Sequence, residues 1–179
     1  MSAKRLSKLD APKVLTNDEK VMAESDMIVS KTDLKGFITY TNRTFVKFCG
    51  YSEDELLGAN HNLIRHPDMP KIAFKLCWDM IQSKREFFGF VKNLRKDGGF
   101  YWVFAYIAAD IDTSGNIIGY SSFRRKPSKA GLDAIIPIYK KLIEIENSEG
   151  VLASEEFLNK FLSDNNTSYN ELVTSLQLS

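Results

Sequence analysis

The chain is short of the residues on which many chemistries depend. Of its 179 residues only two are cysteine and two are histidine, and the formal net charge is +1. Cys49 and Cys77 have no Cys-x-x-Cys spacing and sit inside apolar, helix-like patterns. They read as buried free thiols rather than a disulfide or a metal site, which implies a reduced, cytoplasmic setting. A net charge this small gives no overall field to gather nucleic acid or an acidic membrane. No apolar run approaches the roughly 18 residues a membrane span needs. Met1-Ser2-Ala3-Lys4-Arg5 leads into no apolar signal-peptide core. Gly-rich phosphate loops and nucleophile–base pairs are missing too, so nothing points to an enzyme.

What is present is the composition of a packed globular core, 44% hydrophobic and 12% aromatic, with room for one domain and a terminal appendage. Residues 1–15 are basic and irregular and are expected to be loosely attached. Thr16-Asn17-Asp18-Glu19 resembles a helix start, with a short helix to about Ser25. Met27-Ile28-Val29 is a short buried strand, and Phe37 to Thr41, β-branched and aromatic, is a second. Asn42 caps a helix bearing Phe45, Val46, Phe48 and Cys49, which Gly50 ends. Ser52 and Glu55 form a capping box for a one-to-two-turn helix.

Residues 60–70 follow, Asn60-His61-Asn62-Leu63-Ile64-Arg65-His66-Pro67-Asp68-Met69-Pro70, holding both histidines. The prolines forbid a long helix and fix a shaped connector that aims polar side chains. A surface loop with an Arg65–Asp68 pair is the alternative from the residues alone. Pro70 opens a helix over about 71–83, with Ile72, Leu76 and Met80 on one face. Three strands then follow, Phe87–Arg95, Phe100–Ile111 and Ile117–Arg124, joined by tight turns into an antiparallel meander. After Pro127, an amphipathic helix is expected over about 131–146, kinked at Pro137 or starting later. Two shorter helices follow, the first capped by Ser154, and residues 147–179 either cap the domain, dimerise it or bind a partner.

Two strands, several helical pieces and a meander describe an α+β domain. Its five-stranded antiparallel sheet has helices over one face and C-terminal helices appended. The division is an N-terminal extension at 1–22, a sensory domain at 23–126 and a helical extension at 127–179. A pocket between sheet and helices is the natural ligand site, lined by the 60–70 connector, Trp78 and Asn93.

The strand–strand–Asn-capped helix order, Gly50-Tyr51-Ser52, Glu55-Leu56-Leu57-Gly58 and the Lys96-Asp97-Gly98 hairpin resemble the PAS sensory fold. One branch is closer. Thr32-Asp33-Leu34, Asn42, Gly50-Tyr51, His61-Asn62, Arg65-His66-Pro67-Asp68-Met69-Pro70-Lys71, Val91-Lys92-Asn93 and Tyr101-Trp102-Val103 look like the flavin-binding PAS domain of Aer-type aerotaxis receptors. The likeness covers roughly residues 23–145. It implies non-covalently held FAD, read as a redox probe of electron transport. The cofactor-binding residues it implies are Asn42, His61, Asn62, Arg65, His66, Asp68, Trp78 and Asn93. Phe45, Ile64, Trp102 and Phe104 would form the ring slot, and Arg65 would hold the pyrophosphate. Asp68 would orient Arg65 or His66.

With no membrane span and no coiled-coil rod, the chain looks like the stand-alone form found in bipartite energy-taxis systems. It would signal in trans to a membrane-bound methyl-accepting chemotaxis-type transducer, itself cytoplasmic and held at the inner face of the membrane only through that partner, with a homodimer left open. A haem-binding PAS gas sensor, with His61 or His66 as axial ligand, is the first alternative. A ligand-free interaction module is the second. An adduct-forming photosensor is excluded, because His61 follows Gly58-Ala59-Asn60 where that motif needs cysteine.

Overall fold

The computed structural model describes residues 5–179. Residues 1–4 of the loosely attached segment expected at 1–15 lie outside the described part. Five strands, β1 (Ile28–Thr32), β2 (Ile38–Thr41), β3 (Phe87–Leu94), β4 (Phe100–Ile111) and β5 (Ile117–Arg125), form one antiparallel sheet. Their order is β2-β1-β5-β4-β3, so β5 lies in the middle. Between β2 and β3 run α1 (Arg43–Cys49), α2 (Glu53–Leu56), a 3-10 turn (His61–Ile64) and α3 (Lys71–Gln82). The chain closes with α4 (Lys129–Ser148), α5 (Val151–Asp164) and α6 (Tyr169–Leu178).

Local chemistry explains most of these elements. Asn42 Oδ1 accepts from Phe45 N at the start of α1, and Gly50, at φ 77°, closes it in the left-handed region open to glycine. Ser52 and Glu55 satisfy each other's backbone at α2. In the meander every second residue faces the helices. On β4 these are Tyr101, Val103, Ala105 and Ile107; on β5, Tyr120, Ser122 and Arg124, each paired across the ladder with a like-facing neighbour.

Four expectations change. The helix over residues 17–25 does not form. Instead the segment is extended along the end of β4, with Glu19 bridged in parallel to Phe100, Thr16 N donating to Gly98 O and Lys20 N to Phe100 O. Long-range backbone partners outweigh a local cap there. The preceding residues are anchored as well: a capping box orders Ser7–Asp10, and Lys8 Nζ donates to Arg65 O. In the C-terminal region α5 starts at Val151, with Gly150 in the cap position, and Ser154 is a buried interior residue rather than its cap. Helix α4 begins at Lys129, where Ser128 Oγ accepts from Gly131 N at 3.0 Å, and runs on past Pro137.

The C-terminal helices share a core with α3 and the sheet, through Ile135, Tyr139, Leu142, Leu158, Tyr169 and Val173. They also occupy the free edge of β3. Phe88 N donates to Asn170 Oδ1 (3.1 Å), Asn170 Nδ2 donates to Glu86 O (2.9 Å), and Tyr139 OH donates to Phe90 O (2.9 Å). Further along, His66 N donates to Lys92 O, and Arg65 bridges to Asn93. An edge that could template another strand is thereby covered. Helix α3 is likewise completed from afar. Pro70 offers no side-chain cap, and the Glu146 carboxylate accepts from Lys71 N (2.9 Å) and Ile72 N (2.8 Å).

Helix α4 meets β3 so closely that a Cβ on Gly131 would lie 2.4 Å from Phe90 Cζ and 2.8 Å from Leu176 O. Gly131→Ala is therefore expected to cost about 2 kcal/mol despite alanine's better helix propensity. Urea denaturation of the variant beside wild type checks it; an unchanged midpoint would contradict the packing described.

Candidate functional site

A cavity of about 380 Å³ lies between the inner face of the sheet, the 3-10 turn, α3 and Tyr139 of α4. Its walls divide by chemistry. Ile64, Met69, Ala73, Phe74, Ile81 and Val91 form an apolar slot, to which Cys77 adds a thiol that burial pushes up to about 12. Ser30, His61, Asn93, Ser122 and Arg124 bring polar groups to the sheet side. Lys35, Asn60, Asn62 and Arg65 also line the wall.

Trp78 lines this wall and meets Tyr120 edge-on, with centroids 5.3 Å apart. It packs so near the β1–β2 turn that a Cβ on Gly36 would lie 3.5 Å from the indole. The Arg65 guanidinium lies 3.6 Å over the Phe74 ring, and its buried Nη2 has no acceptor. Asn93 is buried, and its amide nitrogen has no acceptor either.

His61 Nε2 is 3.1 Å from Ser30 Oγ, which also accepts from Arg124 Nη2 at 2.5 Å. Burial, reinforced by Arg124, pulls the His61 imidazole down to about 3, so the ring is neutral near pH 7. Arg124 is 2% exposed, and its Nε and Nη1 have no acceptor among the described residues.

Of the eight residues singled out in the sequence, the structure brings His61, Asn62, Arg65, Trp78 and Asn93 to the cavity. Asn42, His66 and Asp68 are not among its lining residues. The Asn42 amide is occupied with backbone, accepting from Val29 N and Phe45 N and donating to Met27 O. His66 is buried beside the β3 edge, where Nδ1 accepts from Asp68 N and the ring meets Phe100 edge-on. Asp68 is exposed and pairs with Lys92 at 2.7 Å; of the two partners expected for it, His66 is near, with Nδ1 3.6 Å from the carboxylate, and Arg65 is not. In the expected ring slot only Ile64 lines the cavity. Trp102 and Phe104 alternate onto the other face of β4, and Phe45 sits in the α1 core stacked on His61.

Arg124, Ser30 and Tyr139 were missed. Alternation along β5, with Tyr120, Ser122 and Arg124 on one face, carried a readable signal for the arginine. An arginine on the inner face of a central strand needs a reason to be there.

A five-stranded antiparallel sheet closing a ligand-sized cavity with its helical connection is the PAS fold, and residues 38–124 match the PAS fold family. The chain thus carries a PAS domain. Over 128 residues it is 41% identical to the Aerotaxis receptor of Escherichia coli (strain K12), covering 72% of this chain and 25% of that protein. It is 27% identical over 105 residues to the Nitrogen fixation regulatory protein of Klebsiella pneumoniae, covering 59% of this chain and 21% of the relative.

Among solved structures, the dark state of the blue-light photoreceptor Aureochrome1 LOV is similar with TM-score 0.53 and 26% identity, over 68% of this chain and 86% of that one. A Light-Oxygen-Voltage domain studied with a flavin analogue is similar with TM-score 0.52 and 25% identity, over 69% of this chain and 87% of that one. The chain spans at most a quarter of the length of these two curated relatives. These proteins are named as a receptor, a regulator and a photoreceptor. Among the described residues no helix is long and apolar enough to cross a membrane.

Proposed function

We propose that this chain is a redox sensor that holds FAD in the PAS cavity and signals in trans to a membrane-bound chemotaxis transducer. The observation that carries the cofactor reading is the donor set. Arg124, Asn93 and Arg65 all line one cavity, and each has at least one buried nitrogen without an acceptor. Buried donors are nearly always paired, so an acceptor-rich ligand is the partner this wall suits. A flavin offers a flat apolar ring for the slot and carbonyl and ring-nitrogen acceptors along one edge. Likeness to an aerotaxis receptor and to LOV domains supports the same reading. His61 Nε2, the nitrogen an axial ligand of a haem sensor would commonly offer, is already engaged with Ser30 Oγ.

Bound flavin would supply reversible electron uptake. Asn93 and Arg124 orient the polar edge of the ring. Trp78 and Phe74 restrict it from the helix side, and Arg65 and Lys35 supply positive charge for the phosphates. Asn93, bridged through its backbone to Arg65, links the ring edge to the β3 border. A change in acceptor character at that edge shifts the balance between two arrangements only by its differential interaction with them.

Visible absorption of protein purified in the dark, before and after anaerobic dithionite, tests the reading, with chromatography of the released cofactor distinguishing FAD from FMN. Flavin bands that bleach on reduction are expected. A Soret band would reassign the cavity to haem, and a colourless protein unaffected by added FAD would leave an interaction module. Asn93→Asp replaces an orphaned donor with an acceptor and is expected to weaken flavin binding about tenfold, read by fluorescence titration. Binding equal to wild type would remove Asn93 from the ring edge.

A further inference from the structure

Among the described residues the Arg124 guanidinium has no counter-charge. It is 2% exposed on the middle strand of the sheet. One nitrogen donates to Ser30 Oγ, a neutral hydroxyl, and the other two have no acceptor. Its carbon lies 4.5 Å over the Phe45 ring. The ionisable groups acting around it are Tyr101, Cys49 and His61, and all are neutral at pH 7. Burial raises the tyrosine, raises the thiol to about 11, and lowers the imidazole to about 3. A buried charge left unpaired is costly, and proteins keep one where something else completes it. Arg124 is one of the residues that line the cavity.

We propose that Arg124 is the residue that sets the charge of the reduced flavin, facing the N1–C2 carbonyl edge and holding the negative charge that reduction leaves there. The inference rests on the flavin reading above. Arg124 lies deep on the sheet, whereas Lys35 and Asn62 of the cavity wall carry exposed surface. The phosphates of the ligand would therefore leave by that side, with the ring toward Arg124. Nε and Nη1 point to different sides of the guanidinium, so one of them would donate to that edge, at the ring nitrogen or the carbonyl oxygen. Two electrons, supplied by dithionite in the test below, enter with a single proton at N5. The second proton, which the free reduced ring takes at N1 in mildly acidic solution, is not taken, because the guanidinium already compensates the charge. Arg124 thus favours the reduced over the oxidised ligand and raises the potential at which the sensor switches.

Spectroelectrochemical titration of wild type, Arg124→Lys and Arg124→Gln tests this, with circular dichroism confirming that each variant folds. Lys keeps the charge and is expected to keep the potential near that of wild type. Gln keeps hydrogen bonding without charge. It is expected to bind oxidised flavin but to lower the potential, with affinity for reduced flavin falling about tenfold relative to oxidised. An unchanged potential in folded Arg124→Gln would overturn the proposal.

Should Gln fail to fold, the test passes to wild type loaded with ¹⁵N-flavin and reduced at a pH where the free reduced ring carries the N1 proton. A nitrogen shift of unprotonated N1 supports the role, and a protonated N1 overturns it while leaving the flavin reading intact. A wild-type protein that takes up no flavin overturns both.

Discussion

A chain ending at Ser148 is expected to lose its cooperative thermal transition and, with it, the capacity to bind the flavin proposed for the cavity. Removing residues 149–179 uncovers the core contacts of Leu158, Tyr169 and Val173, each at most 4% exposed. At about 1.5–3 kcal/mol for each of the three side chains the loss is roughly 5–9 kcal/mol. That is comparable to the whole stability of a typical domain, about 5–15 kcal/mol. The truncation also strips Asn170 from the backbone of Glu86 and Phe88 and breaks the 2.9 Å contact between the Tyr139 and Tyr169 hydroxyls. Phe90 O, on the same edge, is held by Tyr139, which lines the cavity. Calorimetry and the flavin absorbance of the truncated protein check the outcome. A truncated protein that melts cooperatively and keeps flavin, but no longer associates with a transducer in a pull-down, would instead make α5 and α6 a docking element.

Mild acid is expected to destabilise the folded protein by roughly 4 kcal/mol between pH 7 and pH 5. Burial lowers both histidines, His61 to about 3 with help from Arg124, and His66 to about 4 with help from Lys92. The unfolded chain titrates each near 6.5. In both cases the folded value is the lower one, so below about 6.5 the unfolded state binds more protons. Stability is at its full value above 6.5 and falls as the pH drops toward 4 and then 3. The slope is ~1.4 kcal/mol per pH unit for each histidine. Carboxylates held low by partners, such as Glu55 beside Lys96 and Asp68 beside Lys92, act in the same direction only below about pH 4.5. Urea midpoints of the flavin-free protein at pH 7, 6 and 5 measure the effect, and a His61→Gln, His66→Gln double variant should flatten it. A wild type equally stable at pH 7 and pH 5 would show that the imidazoles are not held neutral.

The amino-acid sequence by itself determined the elements whose partners lie within a few residues. The Asn42 and Gly50 ends of α1, the Ser52–Glu55 capping box, the Asp97-Gly98 turn and the alternation of the meander are all of this kind, and with them came the PAS topology. It also singled out residues 60–70, six of which, Asn60, His61, Asn62, Ile64, Arg65 and Met69, line the cavity.

Only the tertiary structure decided which polar side chains face that cavity. Asn42 and His66 have suitable chemistry, but backbone groups claim them. Arg124 enters because strand register sets it beside Ser30, 94 residues away. Residues 16–22 look helical at close range and are extended because the end of β4 offers them hydrogen bonds. The cap of α3 comes from Glu146, more than 70 residues downstream. The reason is common to all four. Caps, turns and periodicity are fixed by neighbours within about one helical turn, whereas the partner of a buried polar group is chosen by how distant segments pack, and no local pattern encodes that choice.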